Sequence, residues 1–406
     1  MCYTQNRFKA LLSACVMSLI ATAGWSQSLT WLGTLGGGSS GAWGVSADGA
    51  VVVGSFYDSA AGWRAFRWTA SGGMQDLGTL GGLASWANGV SADGSVVVGW
   101  AWNAAEQLRA FRWTASGGMQ DLGTLGGNWS EAFGVSADGS VVVGQAWNAE
   151  GEVRAFRWEN GVMQGLGTLG GWMSAAYAVS ADGLVVVGGA ENAAGQRRAF
   201  RWENGVMQDL GTLGGCCSWA YGVSADGAVV VGVAFNAEGE VRAFRWENGV
   251  MQGLGTLGGN QSEAYGVSAD GAVVVGGAWN AAGQWRAFRW TASGGMEDLN
   301  ITYACLLTNG SVLLGASDIS PDGRYIVGAG YNAATDRIEA FLLDTRCTAH
   351  NGDVDCNGCV DDADLLAVLF ASGSTGSNLG RVDVNCDGVV DDADLLIVLF
   401  NFGSGC

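Results

Sequence analysis

The chain has 406 residues, of which 69 are Gly and one is Pro, and 49% of the residues are hydrophobic, including 19 Trp. So little Pro argues against a Pro-rich disordered tract, and the hydrophobic content predicts a substantial core. The formal net charge of −19 repels nucleic-acid phosphates and anionic lipid headgroups, so we expect neither as a partner.

Residues 1–23 have the pattern of a secretory signal peptide. Arg7 and Lys9 precede an apolar run, and Ala21-Thr22-Ala23 supplies a small-residue cleavage site. The sequence LSAC that ends at Cys15 also looks like a lipoprotein box, but the apolar core before it is short. No later apolar stretch reaches the ~18 residues of a membrane-spanning helix. We therefore expect a secreted or cell-surface protein with no transmembrane segment in the mature chain.

The cysteines agree with export. Eight remain after removal of the signal peptide, and in an oxidising compartment disulfides are the expected state. Cys216 and Cys217 form an adjacent pair, expected in a loop, and the other six gather toward the C-terminus. Their connectivity stays open at this point.

A repeat of 44 or 45 residues occupies residues 28–345. The Leu that opens its phrase LGTLGG falls at 32, 77, 122, 166, 210 and 254, and in the altered form EDLN at 299. This period, without a helical apolar pattern, is typical of a propeller blade of four strands, here a, b, c and d. Asp270-Gly271 and the Glu-Asn-Gly segments predict type I′ hairpins, and Phe288 and Trp290 alternate as in a half-buried strand.

The phrase that ends every other unit also begins the repeat region. Strands a, b and c occur seven times, the last at Ala316–Thr345, and no strand d follows that set. The segment Leu29–Leu35 supplies a spare d strand. A mainly β, seven-bladed β-propeller closed by this N-terminal strand would leave no open sheet edge. The alternative is an open stack of repeats with a ragged end. Closure predicts that Trp31 and Leu32 lie beside Phe341 and Leu342.

The repeat resembles a known family. The phrases DLGTLGG, GVSADGxVVVG and RAFRW are similar to the HAF repeat of bacterial extracellular proteins. Where the family has His-Ala-Phe, this chain has Arg-Ala-Phe, first at Arg64-Ala65-Phe66, and Glu339-Ala340-Phe341 in the last unit. The resemblance implies an extracellular bacterial protein and carries no catalytic residue with it.

The units differ from each other mainly in their d–a and b–c segments, which a closed ring would place on one face. Four Trp residues occur in the d–a segments: Trp86, Trp129, Trp172 and Trp219. Aromatic rings on such a face can stack on a glycan or hold a peptide. The interpretation that we prefer, because surface loops vary in any case, is that they only cover the packing between blades. The recurring Asp of each SADG segment is expected to form a turn rather than to act as an acid.

The last 56 residues contain two acidic segments of the same pattern, 30 residues apart. Counted from Asp353 and from Asp383, oxygen ligands fall at positions 1, 3, 5, 9 and 12, a backbone carbonyl at position 7, and Gly at position 6. This spacing predicts two Ca²⁺ ions, and the alternative is a pair of solvated acidic loops. The predicted ligands are Asp353, Asp355, Asn357, Cys359, Asp361, Asp364, Asp383, Asn385, Asp387, Val389, Asp391 and Asp394.

Each loop leads into an apolar segment, Asp362–Phe370 and Asp392–Phe400, which we expect to be helices packed together through Leu and Phe. Loop–helix pairs of this kind resemble a type I dockerin, here within residues 346–406. That resemblance implies docking onto a cohesin-bearing protein. Loop positions 10 and 11 are Asp-Ala in both copies and the helices lack Lys and Arg, which departs from the family's docking residues.

The CxxC segment Cys356–Cys359 lies inside the first loop. A zinc site or redox centre would need further ligands, and the chain has only His350. Disulfide use is the interpretation that we prefer, since bridges would brace so small a module.

Two functions of different class follow. The first is a secreted, non-catalytic binding or structural protein with a calcium-binding module for docking or surface attachment. The alternative is a carbohydrate-active protein, binding or degrading polysaccharide, that a dockerin delivers. A glycosidase needs two carboxylates in unequal environments at one site, and the acids of the repeats show no such pair. We prefer the first.

Overall fold

A computed structural model describes residues 27–346, 350–355, 357–376 and 379–406. The predicted signal peptide, residues 1–23, and Cys356 lie outside these residues. None of the helices in the described part is long and apolar enough to cross a bilayer.

The described chain is mainly β, and its strands come in consecutive sets. An N-terminal strand, β1 (Ser28–Gly33), precedes the first set. The bounds of that set are β2 (Ser39–Val45), β3 (Val51–Asp58), β4 (Gly62–Thr69) and β5 (Gly73–Asp76). The next two sets are β6 (Gly81–Val90), β7 (Val96–Asn103), β8 (Leu108–Thr114), β9 (Gly118–Asp121), β10 (Gly126–Val135), β11 (Val141–Asn148), β12 (Val153–Glu159) and β13 (Val162–Gly165). Two more are β14 (Gly170–Val179), β15 (Val185–Asn192), β16 (Arg197–Glu203), β17 (Val206–Asp209), β18 (Gly214–Val223), β19 (Val229–Asn236), β20 (Val241–Glu247) and β21 (Val250–Gly253).

The remaining strands complete the array. They are β22 (Gly258–Val267), β23 (Val273–Asn280), β24 (Trp285–Thr291), β25 (Gly295–Asp298), β26 (Val312–Ile319), β27 (Tyr325–Asn332) and β28 (Arg337–Asp344). Between β25 and β26 lie helix α1 (Leu299–Thr302) and the 3₁₀ turns Ala304–Leu306 and Thr308–Gly310. Each set from β6 to β25 is an isolated, four-stranded antiparallel sheet.

The first and last sets share a single sheet through a parallel pairing of β2 with β28, where Ser39 stands opposite Ile338, and β1 joins the last set. Strand β1 pairs antiparallel with β28, and Trp31 stands opposite Phe341 in the register. Their rings make an edge contact at 6.3 Å between centroids. Leu32 is buried in the same cluster as Val327 and Ala340. The predicted pairing of the N-terminal strand with the last unit is therefore confirmed.

The innermost strand of each set contacts the next set's innermost strand in cyclic order, and β26 contacts β2. Hydrogen bonds between successive a–b turns follow the same path, beginning with the Ala47 N–H donated to Ala92 O at 2.9 Å. The series ends at Pro321, which accepts from Ala269 but, as the chain's one proline, has no N–H to donate onward. Where the last set meets the first, the Val45 N–H of β2 donates to the Asp318 carboxylate of β26 at 3.0 Å. Sheets arranged in this way have the architecture of a β-propeller.

The core lies between neighbouring sheets. Phe156, fully buried on β12, packs with Val98 of β7 and Ala132 of β10, and the other sets repeat this cluster. Strand β24 was expected to be half-buried, but Ala287, Phe288, Arg289 and Trp290 are all buried. Stacking of neighbouring sheets buries Ala287, Phe288 and Trp290, whereas the counterparts of Arg289 in the other sets are only partly buried, and Arg289 is paired with Glu297 at 2.5 Å.

The two predicted kinds of hairpin behave differently. In the Glu-Asn-Gly turns both central residues have positive φ, as at Asn160 (51°) and Gly161 (82°), which confirms type I′. In the Asp-Gly turns only the Gly does, as at Gly49 (69°), so the type I′ prediction was wrong there. A side-chain network replaces it: Ser46 Oγ donates to Asp48 and accepts from the Val51 N–H.

The C-terminal segment forms two short helices, α2 (Asp362–Ala371) and α3 (Asp392–Asn401), with the 3₁₀ turn Gly380–Val382 between them. Each loop pairs with the segment that follows the other helix. Val360 of the first loop exchanges backbone hydrogen bonds with residues 403 and 404, after α3. Val390 of the second loop does so with residues 373 and 374, after α2. Cys359 is bonded to Cys406 in a disulfide. Contrary to expectation, Cys216 and Cys217 are free, and they lie on strand β18 rather than in a loop.

Candidate functional site

The first acidic loop gathers three of its predicted ligands. One carboxylate oxygen from each of Asp353, Asp355 and Asp364 lies within 4.8 Å of the others. Asp364 is fully buried, and its Oδ1 accepts from the N–H groups of Val354 (2.6 Å) and Asp355 (3.0 Å). Gly358 turns the loop with φ 89°. The loop therefore aims several hard oxygen atoms at one point.

One atom of this loop supports a cation in particular. Asp353 Oδ2 accepts from the Gly358 N–H at 3.2 Å, whereas Asp353 Oδ1 is buried without a hydrogen-bond partner. Leaving a carboxylate oxygen buried and unpaired is costly unless something positive satisfies it. Carboxylate and amide oxygens are the donors that Ca²⁺ prefers, so the residues present fit that ion.

The second loop repeats much of this hydrogen-bond frame, but Asp383 Oδ1 accepts from the Asp387 N–H at 3.1 Å, whereas its counterpart Asp353 Oδ1 is unpaired. The Gly388 N–H donates to Asp383 Oδ2 at 3.0 Å, and the Asn385 N–H donates to Asp394 Oδ1 at 3.0 Å. Gly388 has φ 87°, and Asp394 is fully buried, as Asp364 is. Among the described residues a cluster of three converging carboxylates occurs in the first loop, whereas the second loop shares these hydrogen bonds without such a cluster.

Other predicted ligands have structural roles that the sequence did not reveal. Asp361 and Asp391 are the N-caps of α2 and α3, and each accepts from the N–H two residues ahead. Asn357 Oδ1 accepts from the Cys359 N–H at 2.7 Å. Val389 forms an isolated antiparallel β-bridge with Thr375. The equivalent residue of the first loop, Cys359, forms the disulfide with Cys406.

The helices expose an apolar face. Phe370 is 86% exposed and Phe400, at the same place in the second helix, is 84% exposed. The prediction that Leu and Phe pack the helices together was wrong for these residues, because the buried contacts come mainly from Val368 and Val398. Leu366, Leu369, Leu396 and Leu399 are about half exposed beside the two Phe rings. We call these six residues the helix face.

The four candidate Trp residues do not form one site. They lie on the long innermost strands β6, β10, β14 and β18, not in loops, and none is in ring contact with another among the described residues. Trp86 is stacked between Trp43 and Trp100, with both centroids at 5.8 Å, which favours the packing interpretation. Trp129 packs on Trp147 and Trp219 on Phe235. Trp172 alone of the four is well exposed, at 74%.

The recurring Asp residues serve turns, as predicted. Asp93 accepts from Ser91 Oγ at 2.6 Å and from the Ser95 N–H at 3.0 Å. These bonds, that from Ser91 foremost, lower the pKa of Asp93 to about 2, and the pKa of Asp138 falls likewise to about 2. A carboxyl with so low a pKa is a poor proton donor near neutral pH.

Sequence reasoning missed a cavity at the propeller axis. Its wall is lined from one equivalent position of each strand a, directly before Gly-Val or its counterpart, and five of these residues are aromatic: Trp43, Phe133, Tyr177, Tyr221 and Tyr265. The available signal was the variation at this one position of the repeat, together with Asp318 where the other units have Gly or Ala.

No protein-family model matches the chain, and the search of curated proteins gives no match. The β-propeller domain of the Trilobed protease from Pyrococcus furiosus, described with an open velcro topology, is similar at 11% identity and TM-score 0.48, over 79% of this chain and 94% of that one. TolB from Acinetobacter baumannii is similar at 12% identity and TM-score 0.43, over 74% of this chain. The matched part makes up 65% of the TolB chain, just under two thirds of its length. A TolB candidate from Agrobacterium tumefaciens gives 15% identity and TM-score 0.41 over 76% and 90% of the two chains.

Proposed function

We propose that the protein is a secreted, non-catalytic, seven-bladed β-propeller that a C-terminal calcium-binding module attaches to a partner at the cell surface. The cyclic contacts of the inner strands and the pairing of β1 with β28 support seven blades closed by the N-terminal strand. The role of the recurring Asp residues in turns supports a scaffold rather than an enzyme.

The observation that carries the calcium proposal is the buried, unpaired Asp353 Oδ1 within a cluster of three carboxylates. In the proposed holo protein, Asp353, Asp355 and Asp364 hold one ion, and Asp383, Asp387 and Asp394 hold the other. The ion would neutralise like charges that repel each other in its absence. Binding energy of this kind becomes folding energy for a module with little core of its own.

The helix face is the proposed docking surface. Its two halves come from α2 and α3 and occupy equivalent places in the two copies of the motif. Exposed large apolar side chains grouped in this way are typical of interaction sites. Because the module resembles a type I dockerin, we propose a cohesin-like module as the partner.

The test uses the mature chain from residue 24 and a panel of immobilised cohesin modules, with binding measured by surface plasmon resonance in calcium and in EGTA. The proposal predicts binding in calcium that EGTA abolishes. Asp353→Ala with Asp383→Ala should remove it, and Phe370→Ser with Phe400→Ser should remove it while calcium binding persists. Asp226→Asn, in a propeller turn, is the control. Binding that survives EGTA and both double variants would contradict the proposal.

A further inference from the structure

The axial cavity has a wall of aromatic rings. Its volume is about 210 Å³. Phe133, Tyr177, Tyr221 and Tyr265 succeed each other around the wall with centroid separations of 5.4, 5.3 and 5.9 Å. The remaining aromatic group, Trp43, donates its indole N–H to Ser55 Oγ at 3.1 Å and is thereby held in place. Four aromatic rings in succession therefore form an arc around part of the cavity, with neighbouring ring planes inclined to each other by 42–61°.

A single carboxylate interrupts this wall. Asp318 stands where every other unit has Gly or Ala, and it lines the cavity. Its Oδ1 accepts from the Ile319 N–H at 2.9 Å and its Oδ2 from the Val45 N–H at 3.0 Å. These two bonds fix the carboxylate and leave each oxygen with further acceptor capacity. Burial raises the pKa of Asp318 to about 7, and the two backbone hydrogen bonds offset this rise only in part.

The remaining lining residues add no positive charge. Among the described residues that line the cavity there is no Lys, Arg or His. Two polar side chains, Asn88 and Ser317, complete the wall, and the Asn88 amide already donates to Ala132 O at 2.8 Å. The cavity thus combines one carboxyl group with aromatic side chains, in a chain of net charge −19.

We propose that the axial cavity binds a small organic cation of the alkylammonium class. Aromatic faces attract such cations through the ring quadrupole, by about 1–2 kcal/mol where the site is desolvated. A carboxylate at one point of the cage supplies the counter-charge. A hard divalent metal fits poorly, because it needs about six oxygen ligands and one carboxylate is present. A neutral sugar could stack on the rings but would leave the Asp318 charge uncompensated.

The test is isothermal titration of the mature, calcium-loaded protein with choline, tetramethylammonium and ethylammonium. The matched probe is 3,3-dimethyl-1-butanol, the uncharged isostere of choline. We expect at least one cation to bind and the neutral isostere to bind about tenfold more weakly or worse, since tenfold corresponds to about 1.4 kcal/mol. Equal affinity for the two isosteres, or no binding of any of the three cations, would overturn the proposal.

Two variants locate the site. Asp318→Gly introduces the residue found in other units and should weaken cation binding at least about tenfold, the loss expected for a desolvated counter-charge. Tyr221→Leu removes one π face without changing charge and should weaken it to a smaller extent. Trp172→Ala, in an exposed position away from the cavity, should change nothing. Unchanged affinity in Asp318→Gly would refute the assignment.

The proposal does not depend on the calcium module. Asp353→Ala with Asp383→Ala should abolish docking and leave cation binding intact, so failure of either proposal can be recognised separately.

Discussion

Truncation of one leucine measures whether β1 is a structural part of the ring. Leu32 is 7% exposed and packs in a cluster with Val52, Val327 and Ala340, which belong to the first and last sets of strands. Leu32→Ala leaves a cavity there and should lower the free energy of unfolding by about 3 kcal/mol, within the usual range for a buried Leu. For a unit the size of residues 27–346, this corresponds to a fall of about 4–5 °C in Tm.

The chain supplies its own control. Leu122 occupies the same place in an internal unit and is also 7% exposed. Leu122→Ala and Leu32→Ala should therefore shift Tm by similar amounts, measured by differential scanning calorimetry of the mature protein. If Leu32→Ala left Tm unchanged while Leu122→Ala lowered it, β1 would not be docked and the ring would not be closed by it.

Three further predictions concern other parts of the molecule. Cys359→Ser with Cys406→Ser opens a loop of sequence separation 47 and should destabilise the C-terminal module by about 4 kcal/mol, seen as earlier loss of helical circular dichroism in urea. The pKa of Asp318 in the folded protein lies above its ordinary 3.8, so the folded state holds this proton more tightly than the unfolded state does. The free energy of unfolding should therefore fall, by at most about 4 kcal/mol, as pH rises from 4 to 7. Urea titrations should show that Asp318→Gly removes this part of the pH dependence. Asn160 has φ 51°, a left-handed conformation that Asn tolerates better than Ala, so Asn160→Ala should cost about 1 kcal/mol in thermal unfolding, whereas Asn160→Gly should be tolerated.

The pairing of the N-terminal strand could be predicted because the repeat has a spare strand d at the front and lacks one after the last set. Trp31 does lie opposite Phe341. The acidic loops could be predicted because the spacing of ligands in sequence sets their spacing around a turn, and Asp353, Asp355 and Asp364 do converge.

What escaped prediction depends on packing in three dimensions. The sequence shows that Asp318 replaces the Gly or Ala of the other units, but its place in a cavity becomes visible only when the sheets are arranged about an axis. The apolar residues of α2 and α3 cover more than one side of each helix, so the pattern could not tell that Val368 would be buried and Phe370 exposed. The Asp-Gly turns differ from type I′ because Ser46 and Asp48 form a side-chain network that dipeptide statistics ignore.

Calorimetric titration of the mature, metal-free protein with calcium tests the central claim most directly. Two bound ions per chain are predicted, with helical circular dichroism increasing on binding. One ion per chain is expected for Asp353→Ala and one for Asp383→Ala, because each variant retains one intact loop. Absence of binding at millimolar calcium, or a stoichiometry of two in the variant that combines both substitutions, would contradict a calcium-folded attachment module.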